Sequence, residues 1–548
     1  ERRMALDYPG VALRADMLSK GIDLDASMAV LQAVNTGAYD GAAPIAVSGV
    51  PALESCLRIH PGTRIQKHAG ESGAGKSGTV IRAGQHITLV STREYLGDKL
   101  QSLGLPVSAL PDGALISDSD GYVRLDRKAL SSIGELLFGQ TAWGVLNGGQ
   151  ATSYADLKKN KALGAPVFDA VRKSFDLLSP LCAGKPKGLT PAYINPDGSP
   201  GESFLLLKMR AALLLASNYR RRTAALGQEQ SSDRRQFGRL VERSPLPFFQ
   251  MTSDGTDAEL AAAYATWGNH PWLADLIEDS GVDPTRPRSA RQPLIAALTH
   301  SSEGRPRRFF DRAWGKENAS IALPGGHGQS FRVLADVYRN LLADGYRFAW
   351  LGNVDNIGYV PDAAELAVFA MSEAGAAFEF SYRTPVDIKG GIVVRTADGS
   401  LTVGDIGQAI SGDEVEELEA RGDKVLFNCA TCVLDLSVIV PKLDDLAARL
   451  PVRVSDQDKD AGRYSQAEQS TWEVVGLLDS PLGFAVEKGD RFIAAKLLAE
   501  TILASGRAGV TGPLPADVRQ TAAMMSGGLE NVLSTRCDLH LSDGQWGV

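Results

Sequence analysis

Short strings in this chain bring glycine, lysine, histidine and carboxylate together at spacings that suit phosphate chemistry. Leu146-Asn147-Gly148-Gly149-Gln150 follows an apolar stretch, and its paired glycines let backbone amides approach a phosphate or a base with no Cβ in the way. Gly184-Lys185-Pro186-Lys187-Gly188 offers two lysines in a turn, each a point charge for phosphate. Leu323-Pro324-Gly325-Gly326-His327-Gly328 sets a histidine among three glycines, an unusual setting for a packed core residue. Gly352-Asn353-Val354-Asp355-Asn356 ends an apolar run, where the Asp355 carboxylate can hold Mg²⁺ against substrate phosphates. Asp387-Ile388-Lys389-Gly390-Gly391 adds a lysine at the start of a strand.

Two further strings look chemical and are read otherwise. Gly70-Glu71-Ser72-Gly73-Ala74-Gly75-Lys76-Ser77 matches G-x-x-x-x-G-K-S in full. That loop works only between a buried strand and a helix. Here a polar, proline-broken stretch precedes it and strand-like residues follow, so a glycine-rich loop is expected rather than a nucleoside triphosphatase site. Cys429-Ala430-Thr431-Cys432 has no second cysteine pair to complete a zinc site and lies in a strand pattern, so both thiols are expected in the core.

Helical and extended patterns alternate from Gly144 to about Ser505, which predicts an α/β domain with a mostly parallel sheet. Loops that follow such strands share one sheet edge, where ligands bind. Residues 78–91 read as strands, residues 113–126 as a hairpin, Leu205–Asn218 as an apolar helix and Pro245–Ser253 as a buried strand. Arg220–Arg243 is expected as an exposed helix or insertion, and Ser280–Pro293, arginine-rich with three prolines, as a surface loop. The division expected is an N-terminal α+β region over 1–138, a catalytic domain over 139–500 and a small C-terminal part over 501–548, packed on the main body.

The 548 residues are 44% hydrophobic and 22% charged, the balance of a globular protein. A net charge of −8 argues against a nucleic-acid or anionic-membrane surface. No apolar run is long enough to span a bilayer, the opening ERRMALDYPG lacks a signal-peptide core, and five scattered cysteines suit a reducing compartment. A cytoplasmic protein is expected.

Taken in order, the strings LNGGQATS, KPKG, PGGHG, GNVDN and DIKGG, with KVLFNCATCVLDL and VEKGDRFIAAK after them, resemble the UDP-sugar pyrophosphorylases of the eukaryotic-type UDPGP family, over roughly Trp143–Glu500. The resemblance implies a Rossmann-like nucleotide-diphospho-sugar transferase fold and transfer of uridylyl from UTP to a sugar 1-phosphate, with glucose 1-phosphate favoured. N-acetylglucosamine or broad-range relatives are the alternatives within the family, and a catalytically silent sugar-nucleotide binder is the alternative outside enzymes. Carried over by motif, Leu146, Asn147, Gly148, Gly149 and Gln150 would cradle the nucleotide, Gln292 would read uracil, and Gly326 and His327 would contact nucleotide and sugar phosphate. Lys187 would touch the triphosphate, Lys389 would neutralise charge at the reacting phosphate, Asp355 would ligate Mg²⁺, and Asn353, Glu379 and Asn428 would surround the sugar. The departures are Ala151 and a position near Ala155, where the family's loop usually has glycine, and some thirty residues between Ser153 and Lys187 that the family does not insert. That insertion is expected as a helix over the site or as a remodelled loop.

Overall fold

The computed structural model describes residues 8–40, 46–59, 78–110, 113, 115–117, 121–228, 240–384, 387, 390–407 and 409–548. The strands that build the centre are, in chain order, β1 (Leu53–Glu54), β2 (Thr79–Arg82), β3 (Thr141–Leu146), β4 (Phe248–Ser253), β5 (Arg288–Gln292), β6 (Phe348–Asn353), β7 (Ala376–Tyr382), β8 (Gly391–Thr396), β9 (Leu401–Asp405), β10 (Leu426–Asp435) and β11 (Leu482–Val486). They belong to a twelve-stranded sheet among the described residues, with the path β5-β4-β3-β6-β10-β7-β11-β2-β1 and with β8 and β9 attached beside β10. Pairing along that path is parallel except at β10, which runs antiparallel to both β6 and β7. The sheet is therefore mixed and mostly parallel, as the alternating pattern predicts.

Strands of such a sheet are apolar on both faces because helices cover both. Trp143 and Val145 of β3 enter one core while Ala142 and Leu146 enter the other, and Trp350 against Ala349 and Leu351 repeats the alternation in β6. The covering helices that matter here are α1 (Ala165–Cys182), α2 (Phe204–Gln228), α3 (Ala363–Met371) and α4 (Leu498–Ala504), with α5 (Ala516–Asn531) near the C-terminus. α2 runs past the apolar stretch that marks it in sequence, through Arg220–Arg222 to Gln228, and residues 229–239 lie outside the described set.

The stretch read as the loop Ser280–Pro293 contains β5, the outermost strand, paired in parallel with β4 from Arg288↔Phe249 to Gln292↔Ser253. An edge strand tolerates charge on its open face, and Arg288 pairs there with Asp344 at 2.7 Å, so arginine content hides the strand from pattern reading. Within residues 1–138, β1 and β2 extend the central sheet, while Ile116–Ser117 and Tyr122–Leu125 pair antiparallel as the sequence predicts for that segment. The C-terminal stretch packs on the body through Met525, Leu529, Val532 and Leu533. No described helix is long and apolar enough to cross a membrane.

Candidate functional site

The carboxyl ends of β3, β4, β5 and β6 fall on one sheet edge, and the loops that follow them meet there. Asn147 leaves β3 with its N–H donated to the Met251 carbonyl at 2.8 Å, and the Ser253 hydroxyl donates to the Gly148 carbonyl at 2.8 Å. The Lys187 N–H then donates to the Gly149 carbonyl at 3.0 Å, and the Ala151 N–H to the Lys185 carbonyl at 2.8 Å. The intervening thirty residues are the helix Leu157–Lys161 and α1, which leave the turn and come back to it. The insertion is thus a helical excursion, and it brings Lys187 onto the glycine turn. A Cβ on Gly148 would lie 3.0 Å from Gln292 Oε1 and 3.3 Å from the Thr252 carbonyl oxygen. Gln292 in turn donates from Nε2 to the Gly326 carbonyl at 2.6 Å and to Gln329 Oε1 at 2.9 Å. Gly148, Gln292 and Gly326 are therefore neighbours, with the Gln292 carbonyl oxygen turned to the glycine turn.

Beside them sits a compact group of charges. Lys187 Nζ donates to Asp355 Oδ2 at 2.6 Å and lies 4.7 Å from the centre of the Tyr154 ring. Lys496 Nζ stands 3.8 Å from the same oxygen, on a side chain that is 60% exposed. Burial by itself would raise the Asp355 carboxyl, but Lys187 and Lys496 outweigh it and hold the group at about 2. Burial lowers the Lys187 ammonium, with Asp355 pulling the other way. Asp355 Oδ1 is buried and has no hydrogen-bond partner among the described residues. A buried carboxylate with one uncommitted oxygen suits Mg²⁺, which is commonly held by one or two carboxylates together with substrate phosphates.

Of these charges, Lys496 lines a cavity of about 630 Å³, whose wall also includes Gly326, His327, Asn353, Gly390, Asn428 and Lys488. Lys488 is pinned by a 2.6 Å bond to Asp387 and lies 4.8 Å from the Phe492 ring centre. His327 accepts the Thr471 N–H on Nδ1 at 3.0 Å, so Nε2 carries the ring hydrogen. Burial and then Lys496 push the imidazole down to about 4, leaving it neutral near pH 7. The ring can donate a hydrogen bond and is ill suited to take a proton.

Several residues expected at the site are placed otherwise. Glu379 is not on the cavity wall: β7 points it inward, where its Oε1 pairs with Arg491 and both side chains are buried. Asn147 turns its amide into the protein, donating to Gln250 Oε1 at 3.2 Å, and Gln150 is exposed and donates to the Gly255 carbonyl at 2.9 Å. Leu146 closes β3 as a core residue. Lys389 and the string Gly70–Ser77 lie outside the described residues. Cys429 and Cys432 are buried in different cores on opposite faces of β10, and no group of three metal-binding side chains occurs among the described residues. Lys488 and Lys496 were not singled out from sequence, although VEKGDRFIAAK places both just after β11, at the sheet edge where ligands bind.

Residues 310–508 match the family model for UTP–glucose-1-phosphate uridylyltransferase. The UTP–glucose-1-phosphate uridylyltransferase of Encephalitozoon cuniculi is 24% identical over 182 residues, 33% of this chain and 36% of that protein. The enzyme of the same name from Solanum tuberosum is also 24% identical, over 33% of this chain and 38% of its own length. The matched region thus spans little more than a third of these relatives. Among solved structures, a UDP-glucose phosphorylase from Trypanosoma brucei superposes with a TM-score of 0.50 at 15% identity, covering 93% of this chain and 80% of that one, which establishes a shared fold. The stretch that matches this family model, residues 310–508, carries His327, Asn353, Asp355, Asn428 and Lys496.

Proposed function

We propose that the protein is a uridylyltransferase that joins UTP to a sugar 1-phosphate, with glucose 1-phosphate the favoured acceptor. The observation that carries this reading is the Lys187–Asp355–Lys496 group beside the Gly148–Gln292–Gly326 cluster, with Lys496 and Gly326 on the wall of a cavity large enough for a sugar nucleotide. A phosphate monoester is largely a dianion near pH 7, its second pKa being about 6. An oxygen of the sugar phosphate forms a bond to the α-phosphorus of UTP while the bond from that phosphorus to the bridging oxygen breaks, and pyrophosphate leaves with the electron pair. No proton has to be removed from the nucleophile, so the protein's task is alignment and neutralisation of charge.

Lys496, exposed and free to swing, meets the triphosphate, while Lys187 fixes Asp355 and adds charge from below. His327 donates its Nε2 hydrogen to substrate oxygen. Asp355 is the candidate ligand for Mg²⁺, which when bound neutralises charge on the phosphates. Asn353 and Asn428 face the sugar, and we assign Lys389 to the reacting phosphate. Five unpaired cysteines fit a cytoplasmic setting.

The test is pyrophosphate release from UTP, Mg²⁺ and a panel of sugar 1-phosphates containing glucose, galactose and N-acetylglucosamine, with Lys496→Met alongside. Release that depends on glucose 1-phosphate and falls about 10²–10³-fold in the variant is expected. Silence of the folded protein across the panel sinks the reading.

A further inference from the structure

The turn that carries Asp355 is held from beneath by a charge the reaction does not use. Lys208 of α2 is 3% exposed. Its ammonium donates to the Asn356 carbonyl and, at 3.1 Å, to the Tyr359 carbonyl, and lies 4.7 Å from the Tyr359 ring centre. The Tyr359 hydroxyl continues the chain of contacts, donating at 2.8 Å to the Gly144 carbonyl of β3, the strand that leads into the glycine turn. On its other side the turn is laced to the segment ending at Lys496. Asn356 Nδ2 donates to the Arg491 carbonyl at 3.0 Å, the Ile357 N–H to the Ile493 carbonyl at 3.1 Å, and the Ala495 N–H to the Asp355 carbonyl at 3.3 Å.

Tying two carbonyls together needs only a neutral donor. A buried ammonium is costly unless an opposite charge repays it. Both hydrogen-bond partners of Lys208 among the described residues are carbonyls, and the opposite charge acting on it most strongly is Asp355. We infer that Lys208 is a positioning residue: it locks the Asp355–Tyr359 turn so that the Asp355 carboxylate stays registered between Lys187 and Lys496 and presents its uncommitted oxygen to a phosphate-bound divalent cation. The inference rests on the proposed uridylyl transfer for its kinetic arm only. Burial pushes the ammonium down to about 7, with Asp355 opposing the shift.

The experiment uses the full chain with Lys208→Met, Asp355→Asn and the double variant. Calorimetry of UTP binding is run with Mg²⁺ and with EDTA. Lys208→Met should lose the Mg²⁺-dependent gain in UTP affinity, as Asp355→Asn does, while affinity in EDTA stays within about threefold. In turnover with Mg²⁺, Lys208→Met should lower kcat about 10–100-fold and raise KM for UTP by no more than the Mg²⁺-dependent gain lost in calorimetry, and the double variant should be no slower than Asp355→Asn alone. An intact Mg²⁺-dependent gain, or losses that multiply in the double variant, overturns the inference. Should the Met variant not fold, Lys208→Gln carries the same expectations. A wild type inactive with every sugar phosphate defeats the proposed reaction, while the calorimetric arm still decides the role of Lys208.

Discussion

His327 stands between Thr471, Trp472 and the cavity with its Nδ1 already occupied as an acceptor. Its charge state follows from that setting and has a stability consequence. The unfolded imidazole titrates near 6.5 and the folded one at about 4, so between these values the unfolded chain binds more protons. Stability tied to the neutral ring is fully present above about pH 6.5 and is lost as the pH falls towards 4, by up to about 3 kcal/mol. Tm measured against pH should therefore fall more steeply over that window in the wild type than in His327→Gln. Parallel slopes would mean that the ring is not held neutral.

The glycine-rich turn before His327 and the hairpin built from Val452–Lys459 and Gly462–Gln469 are fitted to each other at one point. A Cβ on Gly326, whose φ is +87°, would land 2.3 Å from the Gln469 carbonyl oxygen and 2.5 Å from its nitrogen. Backbone on both sides leaves nothing flexible to yield. The hairpin also brings Arg453, Ser455 and Glu468 to the cavity, so shifting it disturbs the wall. Gly326→Ala should lower Tm by several degrees, as expected for about 1–3 kcal/mol of strain, and raise KM for UTP at least tenfold. Gly527→Ala, at a helical position with no atom within 4 Å of the new methyl, serves as the control and should leave both unchanged or raise Tm slightly. Equal behaviour of the two variants would remove the fit between turn and hairpin from the account.

Across the whole molecule, an ionic network buried at its centre, the Arg491–Glu379 pair, joins parts that look separate in the chain. Arg127 pairs with Asp362 at 2.6 Å, Arg491 pairs with Glu379, and Arg536 pairs with Asp490 while donating to the Gly358 carbonyl at 2.8 Å. Glu365 lies against Glu379, and burial, then the Glu379 and Asp362 charges, push its carboxyl well above the usual range. That direction favours the neutral form of the Glu365 carboxyl beside the Glu379–Arg491 pair. Glu365→Gln keeps a donor there and should shift stability by less than about 1 kcal/mol. Glu379→Gln strands the buried Arg491 charge and should cost about 3–5 kcal/mol, read from denaturant unfolding. A larger loss for Glu365→Gln than for Glu379→Gln would reverse the assignment.

What the amino-acid order determined by itself is local. The glycine turns, the two-faced apolar strands β3, β4 and β6 and the apolar start of α2 are written within a few residues, because turn conformation and strand burial depend on near neighbours. The motif order placed Gly148 and Asp355 after apolar strands, whose loops share one sheet edge, and put Lys187 and His327 in glycine-containing turns. The tertiary structure decided which of these meet. Lys187 and Asp355 are 168 residues apart and form a 2.6 Å pair only because α1 returns the chain to the glycine turn. Lys496 joins them through backbone bonds to the Asp355 turn, and Glu379 is drawn away because Arg491 offers a buried counter-charge. β5 is a strand because β4 supplies its hydrogen bonds, whatever its own arginines suggest. Such outcomes compare partners distant in sequence, and the free energy of a buried charge or an edge strand is set by those partners rather than by the residues beside it.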